Sequence, residues 1–240
     1  MSRRRFYVPQ AGRSGNVAEL PPELAHRLRH VLRIASGAEV EVFDGEGGVY
    51  KGVVEISGLR ARVRDLTAVS RPEEPGPVIV LGAALIKPAR FEWMLEKTAE
   101  LGVDEIVPLE TRFSEARVAE AAGAARVDRW RRILQQASEQ CGRARVPRLH
   151  AALRLQDWLH GNEPGAASRF LCCRHGKSWR DTTIEASAVA LGIGPEGGWD
   201  SSEISEAESV GWKLLNLGGN TLRAETAAVS AVALFRLAGR

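Results

Sequence analysis

A short proline-rich segment divides the chain into two parts with different hydrophobic patterns. Residues 70–77, SRPEEPGP, place three prolines and a glycine between two apolar stretches. Proline cannot donate a backbone hydrogen bond within a helix or a sheet, so such a segment is typical of a domain boundary. A chain of 240 residues has room for a small domain followed by a larger one. We therefore predict two domains, at residues 1–72 and 73–240.

The first part is predicted to consist mainly of β-strands. Residues 38–69 contain three short segments in which apolar and polar side chains alternate, and the glycine-rich turn at residues 44–48 separates the first two as in a β-hairpin. We expect one helix beside this sheet, at residues 22–34. Its apolar stripe is formed by Leu24, Leu28, Val31 and Leu32.

The second part alternates apolar strands with amphipathic helices, which is the pattern of an α/β domain with a mostly parallel sheet. The predicted strands are residues 78–85, 105–109, 169–173, 189–193 and 213–217. The predicted helices are residues 89–101, 126–142 and 225–237, with a further helix that begins at a capping box of Asp200 and Glu203 and ends near Gly211.

Charge is distributed unevenly between the two parts. Residues 1–72 hold 12 Lys and Arg against 8 Asp and Glu, whereas the remainder holds 21 against 22. An excess of cations on one domain favours binding to nucleic acid, because each neutralised phosphate releases counterions. Of the 33 cations, 28 are arginine, the better bidentate ligand for phosphate.

Several locations and site types are disfavoured. The N-terminus lacks the apolar stretch of a signal peptide, and no apolar run approaches the ~18 residues of a membrane-spanning helix. We expect a cytoplasmic protein. The cysteines Cys141, Cys172 and Cys173 match neither a disulfide framework nor a metal motif, so buried thiols are favoured. His26 and His30 are spaced like metal ligands, but no third ligand is near them, and surface positions without a metal are favoured.

The segment LGIGPEGG at residues 191–198 predicts a strand that runs directly into a glycine-rich loop. Glycine lets the backbone approach a ligand closely, and Pro195 stiffens the turn. The segment also matches the dinucleotide-binding pattern GxGxxG. That pattern should begin its domain and be followed by an acidic residue at the end of the next strand, and neither condition holds here. A phosphate-binding loop at residues 176–178 is excluded because Leu171 stands where its first glycine is required.

A second segment, LGGNTLRAETA at residues 217–227, repeats the order of strand, glycine loop and helix. Two such loops at the carboxyl ends of sheet strands can form one crevice, where ligands of open α/β sheets bind. Arg223 and Glu225 would enter this crevice from the start of the last helix. The alternative is that Glu225 only stabilises the helix dipole and that Arg223 is its surface partner.

These two segments resemble the C-terminal signature of the RsmE family of SPOUT methyltransferases. Further similarities are RFYV at residues 5–8, HVLR at 30–33, KPARFEWMLEKTAELGV at 87–103 and ASEQCGR at 137–143. The resemblance covers nearly the whole chain. One departure is visible, since Gly219 and Asn220 stand where the family usually has proline and arginine.

The resemblance implies a SPOUT trefoil-knotted α/β catalytic domain, preceded by a small β-rich PUA-like barrel domain that grips RNA. It also implies a homodimer and S-adenosylmethionine as the cofactor, bound in the knot. The residues expected to hold the cofactor are those of both glycine loops and of one strand end: Leu171, Cys173, Gly192, Gly194, Pro195, Glu196, Gly197, Gly198, Leu217, Gly218, Leu222 and Thr226.

The activity implied by the resemblance is methylation of uridine at N3 in small-subunit ribosomal RNA. We expect Arg223 to orient the uracil or to stabilise its negative charge, with Glu225 or Glu196 as base or supporting partner. The cations expected to contact RNA phosphates are Arg5, Arg27, Arg29, Arg33, Arg129, Arg132 and Arg143. Two alternatives stay open at this point: a SPOUT enzyme that acts on another RNA such as transfer RNA, and an RNA-binding protein without catalytic activity.

Overall fold

The computed structural model describes residues 4–70, 76–161, 167–182 and 187–238. Its contacts divide the chain into two compact units. The first unit consists of Met1–Glu73 and Ser138–Val146, and the second of Glu74–Ala137 and Pro147–Arg240. The predicted boundary between residues 72 and 73 lies outside the described residues.

The first unit contains a six-stranded sheet in the order β1-β4-β5-β6-β3-β2. Its strands are β1 (Arg5–Tyr7), β2 (Arg13–Ser14), β3 (Val17–Glu19), β4 (Glu39–Phe43), β5 (Val49–Ser57) and β6 (Arg60–Ala68). The predicted hairpin around residues 44–48 is confirmed, because β4 and β5 pair antiparallel. A core of aliphatic side chains and Phe6 covers one side of this sheet.

The helix predicted at residues 22–34 is shorter and changes its winding. It consists of α1 (Pro22–His26) and a π-helical turn at Arg27–Val31, in which the amide of Leu32 donates to the carbonyl of Arg27 at 2.9 Å. The extra residue in this turn rotates the following side chains away from the core. The prediction of one apolar stripe is therefore wrong at its end, because Val31 and Leu32 are 67% and 43% exposed.

A segment from the middle of the chain completes the first unit. The carboxylate of Glu139 accepts hydrogen bonds from the amide of Tyr7 at 2.9 Å and from the guanidinium of Arg27 at 2.7 Å. The guanidinium of Arg5 donates to the carbonyls of Gly142 and Arg143. The β-rich domain therefore includes residues more than 60 positions beyond its last strand.

The second unit contains a seven-stranded sheet in the order β10-β8-β7-β12-β11-β13, with β9 paired to β8. Its strands are β7 (Val78–Ala84), β8 (Glu105–Glu110), β9 (Arg148–Leu149), β10 (Leu153–Arg154), β11 (Ala167–Ser178), β12 (Ala188–Ile193) and β13 (Lys213–Asn216). Each pairing between these strands is parallel, which confirms the predicted sheet type. The central strands β7 and β12 are almost entirely buried, as expected for a parallel sheet covered on both faces.

The four predicted helices of the second unit are confirmed, and two short helices at Val118–Ala121 and Leu155–Leu159 were not predicted. In chain order these helices are α2 (Pro88–Glu100), α3 (Val118–Ala121), α4 (Ala124–Cys141), α5 (Leu155–Leu159), α6 (Ser201–Ser209) and α7 (Ala224–Ala238). The capping box of Asp200 and Glu203 is present at the start of α6. Within the described ranges, no helix is both long and apolar enough to cross a membrane.

The indole of Trp158, from α5, lies directly on the two central strands of this sheet. A Cβ atom added to Gly82 of β7 would stand 2.4 Å from the ring, and one added to Gly192 of β12 would stand 3.3 Å from it. Gly82 and Gly192 are paired in the sheet, so together they form one flat surface under the indole. Only glycine allows this approach.

Replacement of Gly82 with alanine is expected to lower the free energy of unfolding by about 1–3 kcal/mol, because either Trp158 or the strand must move to admit the methyl group. Urea denaturation followed by circular dichroism measures this difference. Gly123→Ala is the matched control, since a Cβ there would meet one carbonyl oxygen at 3.7 Å. Equal stability of the two variants would contradict this packing.

Candidate functional site

Three loops leave the same edge of the parallel sheet. The strands β12, β11 and β13 are neighbours, and their carboxyl ends therefore lie side by side. The loop after β12 contains the predicted glycine segment at residues 194–198, and the loop after β13 contains the second segment at residues 217–223. The third loop interrupts β11 itself.

This third loop is a bulge that the sequence did not predict. Cys172 and Lys177 both pair with Leu215 of β13, so residues 173–176 are pushed out of the strand. Gly176 permits the return of the chain, because a Cβ at this position would stand 2.4 Å from the amide nitrogen of Leu215. The bulge brings Cys173, Arg174 and His175 to the edge of the sheet.

Two side chains connect the three loops. The amide nitrogen of the Asn216 side chain donates to the carbonyl of Arg174 at 2.8 Å, and its oxygen accepts from the backbone amide of Gly218 at 2.8 Å. The indole nitrogen of Trp199 donates to the carbonyl of Cys172 at 2.9 Å. The loops are thus held to one another by side-chain hydrogen bonds to backbone.

The loops enclose a cavity of about 360 Å³, which we call the edge cavity. This volume lies in the range of about 300–1,000 Å³ that is usual for small-molecule sites. The cavity is lined by Cys172, Cys173, Arg174, His175, Ile193, Gly194, Pro195, Glu196, Gly197, Gly198, Trp199, Ile204, Asn216, Leu217, Gly218, Asn220, Thr221, Leu222, Ala224 and Ala227.

Most of the residues expected to hold a cofactor line this cavity. They are Cys173, Gly194, Pro195, Glu196, Gly197, Gly198, Leu217, Gly218 and Leu222. Three others do not. Leu171 is fully buried, and Gly192 is packed beneath it, with space too small for a Cβ. Thr226 is exposed on α7.

Sequence reasoning missed part of the lining. The missed residues are Arg174, His175, Trp199, Ile204, Asn216, Ala224 and Ala227. The bulge in β11 leaves no clear mark in the sequence pattern. Asn216 was detectable in principle, because an amide side chain at the end of a buried strand is well placed to bind loop backbone. Of the two residues that depart from the family pattern, Asn220 lines the cavity.

Burial keeps the two neighbouring thiols of the cavity neutral. It raises the pKa of Cys172 to about 12, and it also raises the pKa of Cys173. The thiolate is the nucleophilic form of cysteine, so neither group is suited to nucleophilic chemistry near neutral pH. Both serve here as small apolar wall groups.

An arginine that the sequence did not single out lies between the two predicted carboxylates. Arg90, on α2, forms an ion pair with Glu196, and its Nε is 3.8 Å from Oε1 of Glu225. Glu225 is only 8% exposed, and its Oε2 is buried with no hydrogen-bond partner among the described residues. An unpartnered buried carboxylate oxygen is costly and is a feature of functional sites. The structure thus joins Glu196 and Glu225 through one cation.

Arg223, unlike Glu225, lies at the surface. It is exposed immediately before α7, and its carbonyl accepts a hydrogen bond from the amide of Ala227 at 2.8 Å. Its backbone is therefore fixed by the helix, but neither Arg223 nor Glu225 is among the residues that line the edge cavity.

The seven predicted phosphate ligands fall into three groups. Arg5 and Arg143 are 5% and 7% exposed, and Arg5 holds backbone carbonyls, so these two are removed from the set. In the second group, Arg27 forms an ion pair with Glu139, and Arg129 forms an ion pair with Glu92. The third group comprises Arg33 and Arg132, which are exposed, and Arg29, which is half-buried and donates to the carbonyl of Gly58.

Comparison with known proteins identifies the family. Residues 72–236 match the family model described as an RNA methyltransferase domain, and residues 20–64 match an RNA methyltransferase PUA domain. The chain belongs to the RsmE family of RNA methyltransferases. A curated family member, ribosomal RNA small subunit methyltransferase E of Mycobacterium bovis, is 32% identical over 95% of this chain and 88% of its own length. The corresponding Synechocystis protein is 31% identical over 87% of this chain and 69% of its own length.

Solved structures of two cofactor-bound proteins have the same fold as this chain. The enzyme from Neisseria gonorrhoeae, bound to S-adenosyl methionine, superposes with a TM-score of 0.89 at 27% identity and covers 98% of both chains. A Legionella pneumophila protein in complex with the same cofactor also gives a TM-score of 0.89, at 31% identity over 99% of this chain and 98% of its own. These similarities extend across both units of the chain.

Proposed function

We propose that this protein transfers a methyl group from S-adenosylmethionine to N3 of a uridine in small-subunit ribosomal RNA. Membership of the RsmE family supports the reaction and the class of RNA. The observation on which the proposal chiefly rests is the edge cavity, which is built from the two glycine loops of the family signature.

The residues of the edge cavity suit this cofactor. Backbone of Gly194, Gly198 and Gly218 borders the space, so peptide groups are available to bind the polar edges of an adenosine. The neutral thiols of Cys172 and Cys173 do not repel a positively charged ligand. Glu196 also lines the cavity, and its carboxylate forms an ion pair with Arg90.

When bound, S-adenosylmethionine supplies an electrophilic methyl group, and the protein must align the acceptor with it. Alignment of two reactants can lower a barrier by about 7–11 kcal/mol. Uracil N3 carries a proton that must leave before or during the transfer. We assign its acceptance to Glu225 or Glu196, of which Glu225 has a buried oxygen with no protein partner among the described residues. Arg90 holds both carboxylates in place.

Loss of the N3 proton leaves negative charge on the uracil ring. We assign the stabilisation of this charge to Arg223, whose backbone is fixed at the start of α7. A cation close to the developing negative charge stabilises it in the transition state.

We further propose the roles of the two domains, the knot, the oligomeric state and the cellular location of the protein. Residues 1–72 act as the PUA-like domain that grips RNA, and residues 73–240 act as the SPOUT domain, with the C-terminal segment threaded into a trefoil knot. The protein works as a homodimer in the cytoplasm, where ribosomal subunits are assembled, and does not bind membranes. The matches to the PUA and methyltransferase family models support the two domain roles.

The function is tested with cofactor carrying a tritiated methyl group. We expect label to enter small ribosomal subunits or their RNA, and mass spectrometry of the nucleosides to find 3-methyluridine. Bulk transfer RNA serves as the competing substrate. Transfer to transfer RNA alone would contradict the proposed substrate, and a protein that binds RNA but neither binds nor uses the cofactor would contradict the enzyme assignment.

Arg223→Ala is expected to lower kcat by about 100-fold, because a cation that stabilises developing negative charge is removed. Cofactor affinity, measured by calorimetry, should stay unchanged. Arg131→Ala removes a cation of the same unit that pairs with Asp128 on the surface of α4 and serves as control. Wild-type turnover of the Arg223 variant at saturating RNA and cofactor would eliminate the assigned role.

Charge reversal at Arg29, Arg33 and Arg132 is expected to weaken binding to all RNA sequences. The slope of log affinity against log salt should become shallower by about 0.7–0.9 for each phosphate that is no longer neutralised. Arg180→Glu, on an exposed turn of the second unit, is the control. An unchanged slope for the triple variant would show that these arginines do not bind phosphate.

A further inference from the structure

A second cavity of about 220 Å³ adjoins the edge cavity. It is lined by Ile86, Phe113, Glu115, Pro195, Glu196 and Gly197, and we call it the Phe113 cavity. The last three residues also line the edge cavity. The turn at residues 195–197 therefore borders both cavities, and a group in the Phe113 cavity lies beside the edge cavity.

The backbone around Phe113 is held on both sides. The amide of Arg112 donates to Glu203 at 2.7 Å, and the amide of Glu115 donates to the carbonyl of Leu85 at 2.8 Å. The amide of Thr111 also donates to the hydroxyl of Ser114, at 3.0 Å. This loop is thus anchored to α6 and to the residue that follows β7.

The side chain of Phe113 is nevertheless 47% exposed. A Cβ added to Gly197 would stand 3.1 Å from the Cβ of Phe113, so the residue rests on the shared turn. A single exposed apolar side chain is common and has no meaning by itself. Here, however, an aromatic ring in a fixed loop forms the wall of a cavity beside the cofactor loop.

The lining defines what the Phe113 cavity can accept. Ile86, Phe113 and Pro195 supply apolar surface, which favours a flat, uncharged group. Glu115 and Glu196 supply carboxylates, which accept hydrogen bonds and repel phosphate. The volume is below the range of about 300–1,000 Å³ for larger ligands. An unstacked pyrimidine base has these properties, because it has two flat faces and an N–H edge.

We propose that the Phe113 cavity receives the target pyrimidine of the RNA, stacked on the ring of Phe113 with its N–H edge toward the carboxylates. The inference rests on the proposed function and identifies the subsite for its acceptor. Recognition of single bases by stacking on aromatic side chains is a general feature of RNA-binding proteins. Phe113 is accordingly a positioning residue for the base.

The test compares three substitutions of Phe113 by steady-state kinetics with small-subunit RNA as the varied substrate. Phe113→Ala and Phe113→Leu should each raise KM for RNA by about tenfold, the effect of removing one base stack. Phe113→Tyr retains a stacking ring and should behave like the wild type. Since leucine keeps the apolar volume, its weaker affinity separates stacking from simple hydrophobic contact.

Controls separate this role from folding and from cofactor binding. Calorimetry should give wild-type affinity for S-adenosylmethionine in all Phe113 variants, and thermal unfolding should give an unchanged Tm. Val78→Ala truncates another exposed apolar side chain at the opposite, amino-terminal end of β7 and should leave KM unchanged. RNA with 4-thiouridine at the methylated position should photo-cross-link to the peptide that contains Phe113.

Distinct results would overturn the inference and the proposed function. If the wild type methylates ribosomal RNA while Phe113→Ala keeps its KM, or the cross-link maps only to other peptides, the base subsite is elsewhere and the function stands. If the wild type binds cofactor but transfers no methyl group to RNA, the proposed function fails and the inference fails with it.

Discussion

The close packing of Trp158 on Gly82 and Gly192 determines how the parallel sheet is built. The two glycines are partners on the central strands, and the indole replaces the side chains that both of them lack. Because protein cores are packed to crystal-like density, such a contact fixes the α5 layer against β7 and β12 within narrow limits. The carboxyl end of β12 is fixed with it. The carboxyl ends of β11, which pairs with β12, and of β13, which pairs with β11, follow beside it, and the loops of the edge cavity begin there.

The site combines a cavity lined largely by loop backbone and uncharged side chains with a small cluster of charges. Arg174 and Glu196 are part of the lining, and Arg90 joins Glu196 to Glu225. This division suits a reaction in which one ligand is held mainly by shape and the other must lose a proton. It also explains why the glycine loops alone do not make a catalytic site, since the cation that organises the carboxylates comes from α2, far away in the sequence.

Hydrophobic periodicity was sufficient to predict the five longer strands and the four longer helices of the second unit, the parallel sheet and the β4–β5 hairpin, because each depends on local pattern. It did not predict β9, β10, α3 or α5. It failed where a backbone irregularity changes the pattern. The π-helical turn at Arg27–Val31 exposes Val31 and Leu32, and the bulge at residues 173–176 moves three side chains into the cavity. Contacts between residues far apart in the sequence could not be predicted from local pattern either. Gly192 looked like a ligand-binding glycine but packs against Leu171 and Trp158, and nothing local marked Arg90 as the partner of two glutamates.

The position of residues 138–146 has a consequence for biosynthesis. The turn at residues 44–48 bonds to this segment through Gly45 and Gly47, and Arg5 and Tyr7 bond to it as well. During translation the N-terminal sheet emerges first, but the acceptors and donors that complete it arrive only after a further 70 residues or so have been made. The nascent chain must therefore keep an unfinished edge of its first domain available while the first half of the catalytic domain leaves the ribosome.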